Sequence, residues 1–151
     1  MAIQTFELIT PFQNLVSRDF TVSDNNFVVP NHADRIFMGE FVQLDSSYKL
    51  IRGTGDGVKF AVFAESGRYD AQASRKLPTL FLGGYEADTL IFNSSSAPAL
   101  GAKLEVADIT YLTYTLSGLQ THAGGTKEVI GFVTKTAASN SNKLRFMQTL
   151  V

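Results

Sequence analysis

The sequence predicts a mostly β fold, a compact antiparallel β-barrel or sandwich with an extended N-terminal arm. Three observations carry this. No stretch repeats apolar residues at the 3.6-residue period of an amphipathic helix. Short runs alternate apolar and polar side chains instead, which is the period-2 mark of strands. The 12 glycines of the 151-residue chain punctuate these runs at the intervals expected of turns between short antiparallel strands.

Residues 1–35 read as an N-terminal arm or a pair of edge elements. Pro11 and Pro30 interrupt them, "SDNN" reads as a turn, and strand-like pieces are expected near Phe6 to Ile9 and Phe27 to Pro30. Residues 36–151 read as the barrel-like domain. "EFVQL" and "YKLIR" form an expected hairpin around "DSS", with Phe41 and Val42 on opposite faces. "GTGDG" follows as a glycine turn. "VKFAVFAE" is the cleanest strand: Val58, Phe60, Val62 and Ala64 point one way and Ala61 and Phe63 the other, so both faces are expected to be covered.

"SGRYDAQASRKLP" is a polar excursion, either loop or short helix. "TLFLGGYEADTLIF" reads as strand, Gly-Gly turn and strand, with Phe81, Tyr85, Leu90 and Phe92 supplying bulk. "NSSSAPALG" reads as a loop. "AKLEVADITYLTYTLSG" holds two alternating runs, Leu104 with Val106, then Tyr111, Thr113 and Thr115; Tyr and Thr favour pleated structure. "LQTHAGGTK" is a further glycine turn. "EVIGFVTKTA" is a strand with Val129, Gly131 and Val133 on one side and Ile130, Phe132 and Thr134 on the other. "ASNSN" turns the chain into a last strand, "KLRFMQTLV".

Composition narrows the function. A hydrophobic fraction of 44% supports a real core, and 12 Phe against 5 Tyr and no Trp suits aromatic burial in cores or subunit contacts. Net charge is -1 from 13 basic and 14 acidic side chains. With no basic stripe or tail, direct nucleic-acid binding is not expected. The absence of cysteine excludes disulfides, thiolate nucleophiles and Cys-based zinc sites. The opening "MAIQTFELITPFQ" lacks a basic segment before a long apolar run, so no secretory leader is expected. No segment reads as a membrane span.

Candidate reactive groups are few. His32 lies beside Asp34 in "PNHADR", and one histidine with one carboxylate does not make a metal or acid–base site. His122 stands alone. "GTGDG" lacks the Lys-Ser/Thr of a P-loop and the alternating acids of a calcium loop, and "GGTK" at 124–127 fails the P-loop pattern too. There is no G-x-S-x-G elbow. "NSS" at 93–95 matches a glycosylation sequon. The expectation is a non-enzymatic protein with no cofactor and no metal.

Three stretches carry a family resemblance: "GEFVQLDSSYKLIRG", "LFLGGYEADTLIF", and "GAKLEV" with the later "EVIGFVTKTAASNSNKLRFMQTLV". On these, the chain from about Gly39 to Val151 resembles the capsid decoration, or cement, proteins of tailed bacteriophages. The resemblance implies a virion structural protein made in the host cytoplasm. It would bind the outer surface of the major capsid shell, often as a trimer, clamp neighbouring capsomers, and carry no catalytic residue. In such a role residues Ala2 to Pro11 would pair with a neighbour's sheet edge, with Phe6, Leu8, Phe12 and Phe20 as intersubunit or capsid anchors. Two other readings stand beside it. One is a tail or head–tail connector component. The other is a soluble ligand-binding barrel, which needs an aromatic pocket from Tyr69, Tyr85 and Tyr111.

Overall fold

The computed structural model describes residues 5–11, 13, 15, 17–22, 35–63, 69–70, 76–80 and 84–149. Within them the chain is almost entirely strand and turn. In chain order the strands are β1 (Phe6–Leu8), β2 (Ser17–Thr21), β3 (Arg35–Ile36), β4 (Phe41–Leu44), β5 (Leu50–Arg52), β6 (Phe60–Val62), β7 (Tyr69–Asp70), β8 (Lys76–Leu80), β9 (Tyr85–Thr89), β10 (Lys103–Tyr111), β11 (Tyr114–Thr121), β12 (Gly131–Lys135) and β13 (Leu144–Gln148). Short 3-10 turns occupy Ser94–Ser96 and Ala137–Ser139.

The strands build a curled, open six-stranded sheet, ordered β1-β9-β13-β12-β10-β11. A second, five-stranded sheet is ordered β2-β8-β6-β4-β5, and β3 pairs with β7. All the ladders are antiparallel. Of the two expected forms, barrel or sandwich, the architecture is sandwich-like, and no closed barrel is formed. The six-stranded sheet ends on β1 and β11, which do not pair. The edges of the five-stranded sheet, β2 and β5, meet only at one bridge, Val22 to Leu50, which does not extend into a ladder.

The main core lies between the sheets. Phe6, Tyr85, Leu104, Val133, Leu144 and Phe146 from one sheet meet Met38, Phe41, Ala61 and Leu80 from the other side. A second cluster covers the opposite face of the five-stranded sheet: Val22, Ile36, Val42, Leu50, Phe60 and Val62. Both faces of β4 and β6 are therefore covered, as the sequence predicts. Phe41, Ala61 and Phe63 go to the first cluster; Val42, Phe60 and Val62 go to the second. A third cluster sets Phe37 and Ile91 against Ile109 and Leu116 of the β10–β11 hairpin.

The expected hairpin of β4 and β5 forms with Leu44 opposite Leu50. Its turn is fixed by Asp45, whose carboxylate accepts from the Ser47 and Lys49 amides at 2.8 and 3.0 Å. Elsewhere the structure departs from expectation. The β10–β11 turn falls at Leu112–Thr113, inside the run read as continuous through Tyr111, Thr113 and Thr115. Strands β8 and β9, on either side of the Gly-Gly segment, belong to different sheets. The alternation of "EVIGFVTKTA" holds only from Gly131 onward, because Ile130 is buried and Val129 exposed.

The described part of residues 1–35 is built into the sheets. β1 pairs with β9, and β2 pairs with β8. β2 escapes sequence reading because "SRDFT" is mostly polar and exposed. The expected strand near Phe27 to Pro30 lies outside the described residues.

Candidate functional site

The buried charged groups each tie one segment to another. Glu40 is fully buried (0% exposed). It accepts from the Phe37 amide at 2.7 Å and from the Ser117 amide of edge strand β11 at 3.1 Å. Asp88 takes Arg145 Nε and Nη2 at 2.8 and 3.2 Å and Asn140 Nδ2 at 3.0 Å. The hydrogen bond that Arg145 donates to Asp88 holds the guanidinium above its ordinary pKa. Glu105 accepts from the Ala123 amide at 2.8 Å, with His122 Nδ1 at 3.8 Å and Lys127 Nζ at 3.9 Å. That accounts for His122; His32 and Asp34 lie outside the described residues.

The "GTGDG" loop is a braced turn. Lys59 donates to the carbonyls of Gly55 and Gly57. Burial lowers the lysine pKa, and the nearby Glu128 and Asp56 oppose that shift. Gln43 Nε2 donates to the Asp56 carbonyl at 2.8 Å. Only Gly57 of its three glycines has a left-handed φ, +120°. Gly53 serves close approach instead: a Cβ there would sit 2.6 Å from the Phe41 carbonyl oxygen. At "NSS", the Asn93 side chain caps the 3-10 turn by accepting from the Ser96 amide. Among the described residues no group of three or more His, Asp or Glu is placed to hold a metal, and no helix is long and apolar enough to cross a membrane.

The expected anchors fall in three different settings. Phe6 is 1% exposed and its ring meets Phe63, Tyr85 and Phe146 at centroid distances of 6.3–6.5 Å. Leu8 is half-buried against the same core. Phe20 is half-buried, stacked on Phe60 at 5.9 Å, with the Arg18 guanidinium 5.3 Å from its ring centroid. Phe12 lies outside the described residues. Among the described side chains, Tyr85 and Tyr111 belong to different clusters. Tyr85 is buried and donates to Gln148 Oε1, whose amide donates in turn to the Lys59 carbonyl at 2.9 Å. Tyr111 packs against Phe37 in the third cluster, and the side chain of Tyr69 lies outside the described ones.

The outward features are of another kind. Tyr48, at the β4–β5 turn, is 77% exposed; Leu112, at the β10–β11 turn, is 71% exposed. Both are left-handed, at φ 59° and 56°, a region that L side chains with bulk rarely adopt. Beside Leu112 lies an open groove of about 470 Å³, walled by Asn93, Ser94, Ser95, Asp108 and Thr110 among others. It is polar, with no aromatic platform. The sequence placed the first turn at "DSS" without including Tyr48, and it missed the tip at Leu112, which lies inside the run Tyr111, Thr113 and Thr115.

No protein-family model matches the chain, and no curated protein or solved structure does.

Proposed function

We propose that this chain is a structural protein of a tailed-phage head that binds the outer surface of the major capsid shell and clamps neighbouring capsomers. The observation that carries the reading is the pair of bulky side chains, Tyr48 and Leu112, held outward at turn tips in left-handed backbone. A turn that only reverses the chain is better served by Gly or Asn. Large apolar groups retained there at a conformational cost suit contact with another macromolecule. A β-sandwich-like body braced by buried carboxylates and their partners supplies the rigid platform. The resemblance of Gly39 to Val151 to cement proteins names the partner, the major capsid protein.

Weak contacts of this kind become strong when many copies engage one shell. The test is co-sedimentation of the purified protein with empty capsid shells, counting copies per shell. Saturation at on the order of hundreds of copies is the expected result. Saturation at a single ring's worth would favour the tail or connector reading. Absence of binding would overturn the capsid reading and favour a tail component or a ligand-binding barrel.

A further inference from the structure

We infer that the outer face of the six-stranded sheet is a self-association surface, and that it takes the same face of a second copy of this chain. Four side chains lie directly opposite one another across four successive strands: Glu86 on β9, Met147 on β13, Phe132 on β12 and Lys103 on β10. Directly paired residues share a face. This face is turned away from the core, because Tyr85, Phe146 and Val133, their neighbours in sequence, fill the interior. Ile9 extends the row, its amide donating to the Glu86 carbonyl at 2.9 Å. Phe132, within the row, is 37% exposed and Ile9, at its end, is 38% exposed, so apolar groups of the row are open to solvent.

The order of chemistry along the row selects the occupant. It runs acid, apolar, apolar, base. Glu86 and Lys103 stand three strand spacings apart, about 14 Å, too far to pair within one chain. Consider a two-fold axis parallel to the strands, lying in the interface between β13 and β12. It places Glu86 over the second copy's Lys103 and Met147 over the second copy's Phe132. Every contact then occurs twice, which is the signature of an isologous interface. In the neighbouring row Arg145 is paired with Asp88 and Lys143 reaches Glu7 at 3.7 Å, while Lys135 lies opposite Arg145 and adds like charge, so the complementary pairing comes from Glu86 and Lys103. A foreign partner would need the reversed order by chance, whereas a second copy carries it by symmetry. The inference does not rest on the capsid reading.

The test is sedimentation velocity of the full chain across a concentration series, at low and high salt. A dimer that weakens with salt is expected. Glu86→Lys and Lys103→Glu should each weaken it by about tenfold or more, through like charges facing one another. The double variant, Glu86→Lys with Lys103→Glu, should recover the dimer, because both pairs are then restored with signs exchanged. Phe132→Ser should give a monomer with an unchanged circular-dichroism spectrum. A wild-type chain that stays monomeric or forms only trimers would overturn the inference. So would a dimer indifferent to the single charge reversals, or a double variant that stays dissociated.

Discussion

Leu112 carries a direct conflict between local backbone and exposed surface. Leu112→Gly is expected to raise unfolding free energy by a few tenths to about 1 kcal/mol, since glycine accepts positive φ without a clashing Cβ but loses more chain entropy. Urea denaturation checks the stability. The same variant should lower shell binding, so stability and affinity move in opposite directions. Tyr85 is the second telling residue. Tyr85→Phe leaves the buried Gln148 Oε1 without its donor, at about 1–3 kcal/mol. Burial also pushes the phenol far above its ordinary 10.0. The folded state thus keeps a proton that the unfolded state releases. The linked stability is whole below pH 10.0 and is lost as pH rises beyond it. Urea midpoints at neutral and strongly alkaline pH should fall more steeply for the wild type than for Tyr85→Phe. An equal fall in both would show that Tyr85 does not drive the alkaline loss.

Individual strands differ in how plainly the sequence announces them. β6 was legible because Phe60, Ala61 and Val62 alternate between two apolar clusters, and only strand geometry serves both. β2 was not, because an edge strand with exposed Arg18 and Asp19 leaves no apolar alternation to read. The tip at Leu112 was hidden for the converse reason, an apolar residue in a turn. Phe6 was visible as an apolar anchor, but nothing local distinguishes a ring facing a neighbour from one facing its own core. Its burial makes a firm expectation: Phe6→Ala should destabilise the chain by about 3–5 kcal/mol, a large share of the total of about 5–15 kcal/mol usual for a folded domain. Deleting residues 1–12 should lower the thermal midpoint sharply, whereas a free arm would leave it unchanged. At β12, a Cβ on Gly131 would lie 2.0 Å from the Met147 carbonyl oxygen. Gly131→Ala should therefore force β12 from β13 and cost about 3 kcal/mol, measurable by the same denaturation.

For the whole molecule, the class of fold followed from short alternating runs and glycine spacing, but the sheet order did not. Strand order depends on contacts between distant segments, such as β1 with β9 and β4 with β6, and no local pattern encodes them. The candidate binding features were illegible for a related reason. They arise from turn geometry and from a row of residues that only the pairing of four strands brings into line.

Glu40 bears on whether the open sheet can polymerise. An open sheet edge is a template on which the next chain can add a strand, and growth of that kind ends in filaments. On β11 the Ser117 amide is occupied by the Glu40 carboxylate, and Leu119 is bonded through both its amide and its carbonyl to the 91–93 segment. A second chain arriving at that edge meets a buried anion and a strand-like segment where it would need free donors and acceptors. At the other edge β1 offers only three residues. The six-stranded sheet therefore carries built-in terminators of polymerisation at both edges, and copies of the chain can be crowded together without adding strand to strand there.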